Sequence, residues 1–354
     1  VEYPLMLAAV CILRPGESFR AKEVLLLTAA AFLILAEPLA SQGALLSGAA
    51  TALAIGLTGW LGMRRGFAPL TMALAFFLTM HASTAHNTRQ GEVVWRGRSF
   101  YGAYSVTEDR AAGYRRLYHG TTLHGVERLS YDGHPVPLSY YAPGGPLGDI
   151  VRLVESRAHA IGVVGLGVGS SSCYARPGQE WTFYEIDALD RDIVAGDAPF
   201  DLMKRCAPDA KIVLGDGRLN LEREASGKFD FLTIDAFSSD AIPVHLLTVE
   251  AFRTYIRTLA PHGVLAIHIS NRNLDLKPIV AAIARQTGLT SYYYGFAPPA
   301  GEDKIALSPS EWMVLARSAD DLGPMANDPH WKRQDGTSAR AWTDDFSNIL
   351  TALR

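Results

Sequence analysis

Cysteine is scarce in this chain of 354 residues: Cys11, Cys173 and Cys206 are its three, far apart and odd in number. No CxxC pair and no Cys/His ligand spacing occurs, so neither a zinc site nor a disulfide framework is expected, and the cysteines are compatible with a reducing compartment. His81/His86 and His119/His124 are paired five apart. That is not a helical ligand spacing, so packing or surface roles are expected and no metal is implied. A dense Lys/Arg stripe is also missing, and the formal net charge is −3, which argues against a nucleic-acid partner. Neither GxGxxG nor GxSxG appears, so a dinucleotide fingerprint and a nucleophile elbow are both unsupported.

The first 85 residues are overwhelmingly apolar, and charge is nearly missing from the interiors of their apolar segments. Apolar segments at 24–40, 43–63 and 67–82 each approach the ~20 residues that span a bilayer. Small residues, as in GALLSGAATALAIGLTGW, suit close helix packing in lipid. The reading is of transmembrane helices over 1–85. The chain opens with Val1 inside an apolar stretch, as the C-terminal part of a longer protein would. Basic loops at Arg14, Arg20 and Lys22 and at Arg64 and Arg65 point one way for topology; Arg89, Arg96 and Arg98 point the other.

The remainder changes character. Over 91–149 short β-like runs alternate with turn residues, and Asp132-Gly133 is a hairpin signal; a small antiparallel β domain is expected. From 150 to 354 apolar strands alternate with helical stretches: IGVVGLG, WTFYEID, KIVLGD, FDFLTID and GVLAIHIS, with helices at 248–259 and 276–287. Strands apolar throughout and separated by helices predict a mostly parallel sheet covered on both faces, an α/β fold. SYYYGF and EWMVLAR would complete the sheet, 320–341 reads as loop, and WTDDFSNILTALR reads as a closing helix capped near Thr343 or Asp344.

Ligands of such a sheet bind beyond the C-terminal strand ends. The first strand ends in a GxGxG turn, Gly165, Gly167 and Gly169, which allows a close backbone approach; a tight turn without a ligand is the alternative. Glu185 lies 20 residues beyond Gly165, where a carboxylate can accept from a ribose diol. Asp187 is an adjacent candidate or a helix N-cap. Asp216, followed by Gly217, could accept from an adenine amine. Asp235 ends the fourth strand and Asp240 follows a Ser-rich loop; both suit a cation, the amine of a substrate or a sulfonium, although either could cap a turn. Together these strand-end acids imply an adenosine-containing ligand.

With SYYAPGGPLGD, DAFSSDAIPVHLLT, HISNRNLDLKP and WTDDFSN, the chain from about Arg98 onward resembles the polyamine aminopropyltransferases. More narrowly, it resembles the bacterial membrane-fused spermidine synthase-like proteins. The resemblance implies a β-hairpin domain before a Rossmann-like methyltransferase fold. It places the ribose acid at Glu185, the adenine contact at Asp216, the acid that activates the attacking amine at Asp235, and a second acid at Asp240. Tyr140 and Tyr141 fall where the hairpin meets the substrate. Departures are visible: GLGVG stands where GGGDG is usual, so Val168 replaces an acid, no Tyr-His-Glu follows the hairpin, and DSSD is stretched to DAFSSD. The implied reaction moves an aminopropyl group from decarboxylated S-adenosylmethionine to an amine such as putrescine. The rivals are chemistry on intact S-adenosylmethionine, such as methyl transfer, and a non-catalytic nucleoside-binding regulator of a membrane protein. Membrane lipid is expected as a partner and a homodimer is allowed. The expected location is multi-pass in the inner membrane, with the rest in the cytoplasm, where adenosyl sulfonium compounds are made.

Overall fold

The computed structural model describes residues 91–354 apart from 121, 197–198, 238–241, 302 and 304. Two sheets organise them. The first is a four-stranded antiparallel meander, β1 (Glu92–Arg98), β2 (Ala103–Asp109), β3 (Tyr114–His119) and β4 (Thr122–Arg128). Asp132-Gly133 does not turn a hairpin. It lies in the loop after β4, with Gly133 at φ 103°.

The second sheet has eight strands: β5 (Ala160–Val164), β6 (Glu180–Glu185), β7 (Lys211–Leu214), β8 (Phe229–Ile234), β9 (Leu259–His268), β10 (Thr290–Phe296), β11 (Ser310–Ala316) and β12 (Lys332–Gln334). Their spatial order is β12-β10-β11-β9-β8-β5-β6-β7. Strands β5 to β9 run parallel, and β10, β11 and β12 join antiparallel. From β5 the chain steps outward to β6 and β7, then returns across β5 to β8. The order therefore reverses between β5 and β8, and a crevice opens at their C-terminal ends.

Alternating strand residues feed two apolar layers. Ile161, Val163, Phe183, Phe231 and Val264 face the helix α1 (Pro146–Val154), which contributes Leu147, Ile150 and Val154. Val164, Tyr184, Leu232, Ile234, Leu265 and Ile267 lie in the opposite layer with α5 (Val249–Thr258) and α6 (Lys277–Gln286). Between these helices in the chain come α2 (Ala188–Ala195), α3 (Leu202–Cys206) and α4 (Gly217–Arg223). Thr248 caps α5 by accepting from the Ala251 amide at 3.2 Å.

Four further expectations need correction. Transmembrane helices were part of the expected fold class; among the described residues no helix is long and apolar enough to cross a membrane. The apolar segments behind that expectation lie outside the described residues. The same finding overturns the expected multi-pass location in the inner membrane; nothing among the described residues supports a lipid partner or a homodimer. Second, Cys173 and Cys206 form a disulfide that joins a 3-10 turn at Ser170–Tyr174 to α3. Spacing along the chain could not show this because the partners are 33 residues apart and meet only in the fold. Disulfides form and persist in oxidising surroundings. Third, WTDDFSNILTALR makes no closing α-helix: Thr343 pairs with Phe346, and a single 3-10 turn, Ile349–Ala352, follows. The helix is forgone because Asp344 is taken by Arg218, through two 2.7 Å bonds, and by Thr248 at 2.8 Å. Fourth, the polar stretch 320–341 contains β12, which pairs with β10.

The meander is fastened to the large sheet by a half-buried charge cluster. Arg115 on β3 pairs with Glu108 at 2.7 Å and with the buried Glu127, and it also donates to the Pro199 carbonyl. Burial pushes the Glu127 carboxyl up from 4.5 to about 7, against the pull of Arg115. The folded chain then binds more protons than the unfolded one between these values, so stability falls as pH rises through that window. The loss expected on going from pH 5 to pH 8 is at most about 3 kcal/mol. Glu127→Gln should flatten that decline, read as urea midpoints at the two pH values.

Candidate functional site

The reversal point brings two strand ends into contact. The Asp235 amide donates to the Val164 carbonyl at 2.8 Å, and the Gly165 amide to the Tyr184 carbonyl at 2.9 Å. Gly165, at φ 103°, has the Asp235 carbonyl only 2.3 Å from where a Cβ would sit. Gly167 and Gly169 also have positive φ, 54° and 75°, and a Cβ on Gly169 would meet Met203 of α3 at 2.6 Å. The GxGxG loop is thus required by close backbone packing. Val168 is fully buried, and its side chain fills the space beside Gly125 of β4, where a Cβ would approach to 2.4 Å. The meander therefore lies directly over the glycine loop.

Glu185, at the end of β6, is buried. One oxygen accepts from the Leu166 amide at 3.0 Å and the other from the Asp187 amide at 2.8 Å. Burial raises its pKa, and the two amide bonds oppose the rise. Asp187 is the N-cap of α2, accepting from the Leu189 amide at 2.9 Å, and it also accepts from the Ser99 hydroxyl of the β1–β2 loop. Asp216 caps α4 through the Leu219 amide at 2.9 Å, and its other oxygen meets His245 Nε2 at 3.0 Å. Gly217 begins α4, with Val164 Cγ1 2.5 Å from the position of a Cβ. The Gly215 amide donates to the Glu185 carbonyl at 2.8 Å, so the second and third strand ends are continuous.

Asp235 closes the row. Its carboxylate is 2 % exposed. Oδ1 meets His268 Nδ1 at 2.7 Å, and Oδ2 accepts the Tyr141 hydroxyl. The Tyr140 hydroxyl donates to that of Tyr141 at 3.3 Å. Burial, then the Asp235 charge, holds the Tyr141 hydroxyl well above the usual phenol range, so it stays a donor. Rings enclose the His268 imidazole: Tyr140, Trp312 and Phe237 lie 4.5, 4.6 and 4.8 Å from it.

The structure thus sets Gly165, Gly167, Gly169, Glu185, Asp187, Asp216, Gly217 and Asp235 along one sheet edge, with Tyr140 and Tyr141 against Asp235. Asp240 lies outside the described residues. Sequence reasoning missed four features. His268 ends β9, and the rule that singled out polar strand ends could have found it. Ile186, Leu214 and Leu219, close in the chain to Glu185 and Asp216, are exposed; isolated apolar residues near a strand end give no such signal. Asp190 on α2 is buried beside Glu185 and Asp187, and burial followed by those two charges pushes its pKa well up. Ser99 reaches the site from a separate sheet. Among the described residues no group of three or more His, Cys, Asp or Glu side chains could hold a metal ion.

Solved structures of similar fold exist. A probable spermidine synthase from Corynebacterium glutamicum is 16 % identical over 74 % of this chain and 99 % of its own, with a TM-score of 0.52. Spermidine synthase from Thermotoga maritima is 13 % identical over 74 % and 84 %, with a TM-score of 0.47. A spermidine synthase in complex with the transition-state analogue AdoDATO is 14 % identical over 72 % and 83 %, TM-score 0.47. No family model matches the chain, and no curated protein does. At this identity the first likeness shows the fold: a Rossmann-like, methyltransferase-type α/β sheet preceded by a small β sheet.

The double engagement of Asp187 is testable. Asp187→Ala should cost about 1–2 kcal/mol through the lost cap, whereas Asp187→Asn should cost less; denaturant midpoints at pH 7 measure both.

Proposed function

We propose that the chain is a transferase that moves an aminopropyl group from decarboxylated S-adenosylmethionine to an amine such as putrescine, with Asp235 as the base. One observation carries this: a buried carboxylate, bonded to Tyr141 and to a His268 ring that is itself enclosed by aromatic side chains, stands at the reversal point of the sheet, beside a glycine loop and two further strand-end acids. A cation is what a carboxylate in an aromatic enclosure recognises.

The residues fit an adenosine compound. Glu185 uses two of its roughly four lone-pair directions on backbone amides, which leaves others for the two hydroxyls of a ribose. Asp216, held as a helix cap, can accept from an adenine amine, and the exposed faces of Ile186 and Leu219 suit a planar base. Gly165, Gly167 and Gly169 let the main chain approach, and Asp187 holds the start of α2 behind Glu185. The bound sulfonium supplies an electrophilic carbon and a thioether leaving group. This chain's residues do the rest. A primary amine with a pKa of about 10.4 is protonated at pH 7, and freeing its lone pair costs roughly 4–5 kcal/mol. The Asp235 carboxylate holds the amine in line and accepts its proton as the nitrogen attacks. Tyr141 donates to the same carboxylate, and Tyr140 closes that side with its ring.

A second reading has its own support: Val168 is buried where the resemblance calls for an acid to hold the aminopropyl ammonium. That favours intact S-adenosylmethionine and methyl transfer. Calorimetry with the two sulfonium compounds separates these readings. Incubating decarboxylated S-adenosylmethionine with putrescine and related amines should release methylthioadenosine. Asp235→Asn should cut that release by about 10²–10⁴-fold while methylthioadenosine still binds. Tighter binding of intact S-adenosylmethionine together with a methylated product would overturn aminopropyl transfer. Binding without any product would leave a regulatory nucleoside module instead.

A further inference from the structure

We infer that Ser270 and His268 form a positioning pair for Asp235, Ser270 holding the imidazole at Nε2 and the imidazole fixing the carboxylate through Nδ1; the role rests on Asp235 being the base. The hydrogen-bond chain starts at a backbone amide. Glu311 N–H donates to Ser270 Oγ at 2.8 Å, so one lone pair of that oxygen is already used. The Ile269 amide donates to the Glu311 carbonyl at 2.9 Å, which locks the same two segments together. His268 Nε2 lies 2.7 Å from Ser270 Oγ, in line for the serine's own hydrogen. Nε2 is then the acceptor, and Nδ1 carries the hydrogen directed at Asp235 Oδ1, 2.7 Å away.

The ring cannot easily choose otherwise. It is buried, and it stacks between Tyr140 and Trp312, with interplanar angles of 29° and 13°. Trp312 is its cross-strand partner on β11, so sheet register sets this packing. The titratable groups that face it are Asp235 from the end of β8 and Tyr140 from the turn 139–141, with Tyr141 behind Asp235; β11 contributes the Glu311 main chain and the Trp312 ring. With Nδ1–H on one oxygen and the Tyr141 hydroxyl on the other, the carboxylate plane is held and cannot spin. What remains free are the lone pairs turned away from both donors, and these are the ones an amine must use.

The test uses the full chain. His268→Phe keeps a ring between Tyr140 and Trp312 but removes both nitrogens. It should lower aminopropyl transfer about 10²-fold through a misplaced carboxylate, leave methylthioadenosine affinity unchanged, and be partly rescued in His268→Gln, whose amide can still donate. In ¹⁵N-histidine-labelled protein the His268 resonances, assigned by their loss in His268→Phe, should show Nδ1 protonated and Nε2 bare. Ser270→Ala should shift the Nε2 resonance, which loses its hydrogen-bond donor, while Nδ1 stays protonated toward Asp235. Full turnover in His268→Phe, or an Nε2–H imidazole in the unmodified protein, would overturn the pair. If the unmodified protein transfers no aminopropyl group, the function proposed for the site fails, and the nitrogen resonances still decide the tautomer and the pair.

Discussion

The contact between the Gly165 main chain and the Asp235 carbonyl governs this molecule's working edge. A parallel sheet whose order reverses leaves two strand ends side by side with their following loops diverging. Here the first loop passes so close to the second strand end that no side chain fits at Gly165. Asp235 is thereby carried to the floor of the crevice instead of its rim. Its carboxylate, deprived of water, must take its hydrogen bonds from the protein. His268 and Tyr141 provide them, one from the next strand and one from the turn before α1. The polar network, the aromatic enclosure and the near-complete burial of Asp235 all follow from that approach of two backbones.

The small sheet completes the edge from above. Val168 and Gly125 meet where neither could be exchanged for a bulkier neighbour, and Ser99 reaches Asp187 at the start of α2. Arg115 anchors the same sheet through Glu108, Glu127 and the Pro199 carbonyl. A half-buried arginine shared between two carboxylates, one of them buried, fixes orientation more than it adds stability, because desolvation offsets much of its attraction. The disulfide between Cys173 and Cys206 acts beside it, joining the turn after the glycine loop to α3. In chain-entropy terms such a link adds about 3–4 kcal/mol for a loop of this length.

The far end of the chain contributes by forgoing a helix. Arg218 on α4 meets Asp344 through two parallel bonds, and Thr248, the cap of α5, shares that carboxylate. A bidentate charge-assisted pair outweighs the weak preference of a short polar segment for helix. The result pins the C-terminal segment next to α4, whose first turn is capped by Asp216. Residues read separately as a helix start, a helix cap and a closing helix therefore hold one another.

How much of this was legible depended on which force set each feature. Apolar strands ending in Gly165, Glu185, Asp216 and Asp235 could be read directly, because hydrophobic period and polar termination are local properties of the chain. The pairing of Cys173 with Cys206, the short strand β12, the diversion of Asp344 to Arg218 and the place of His268 beside Asp235 could not. Each joins residues distant in sequence that only the packed fold brings within bonding distance. The sequence by itself determined the alternation of strand and helix and the chemical character of every strand end. Tertiary structure alone decided which of those ends share a crevice, because strand order and register are set by how whole layers pack.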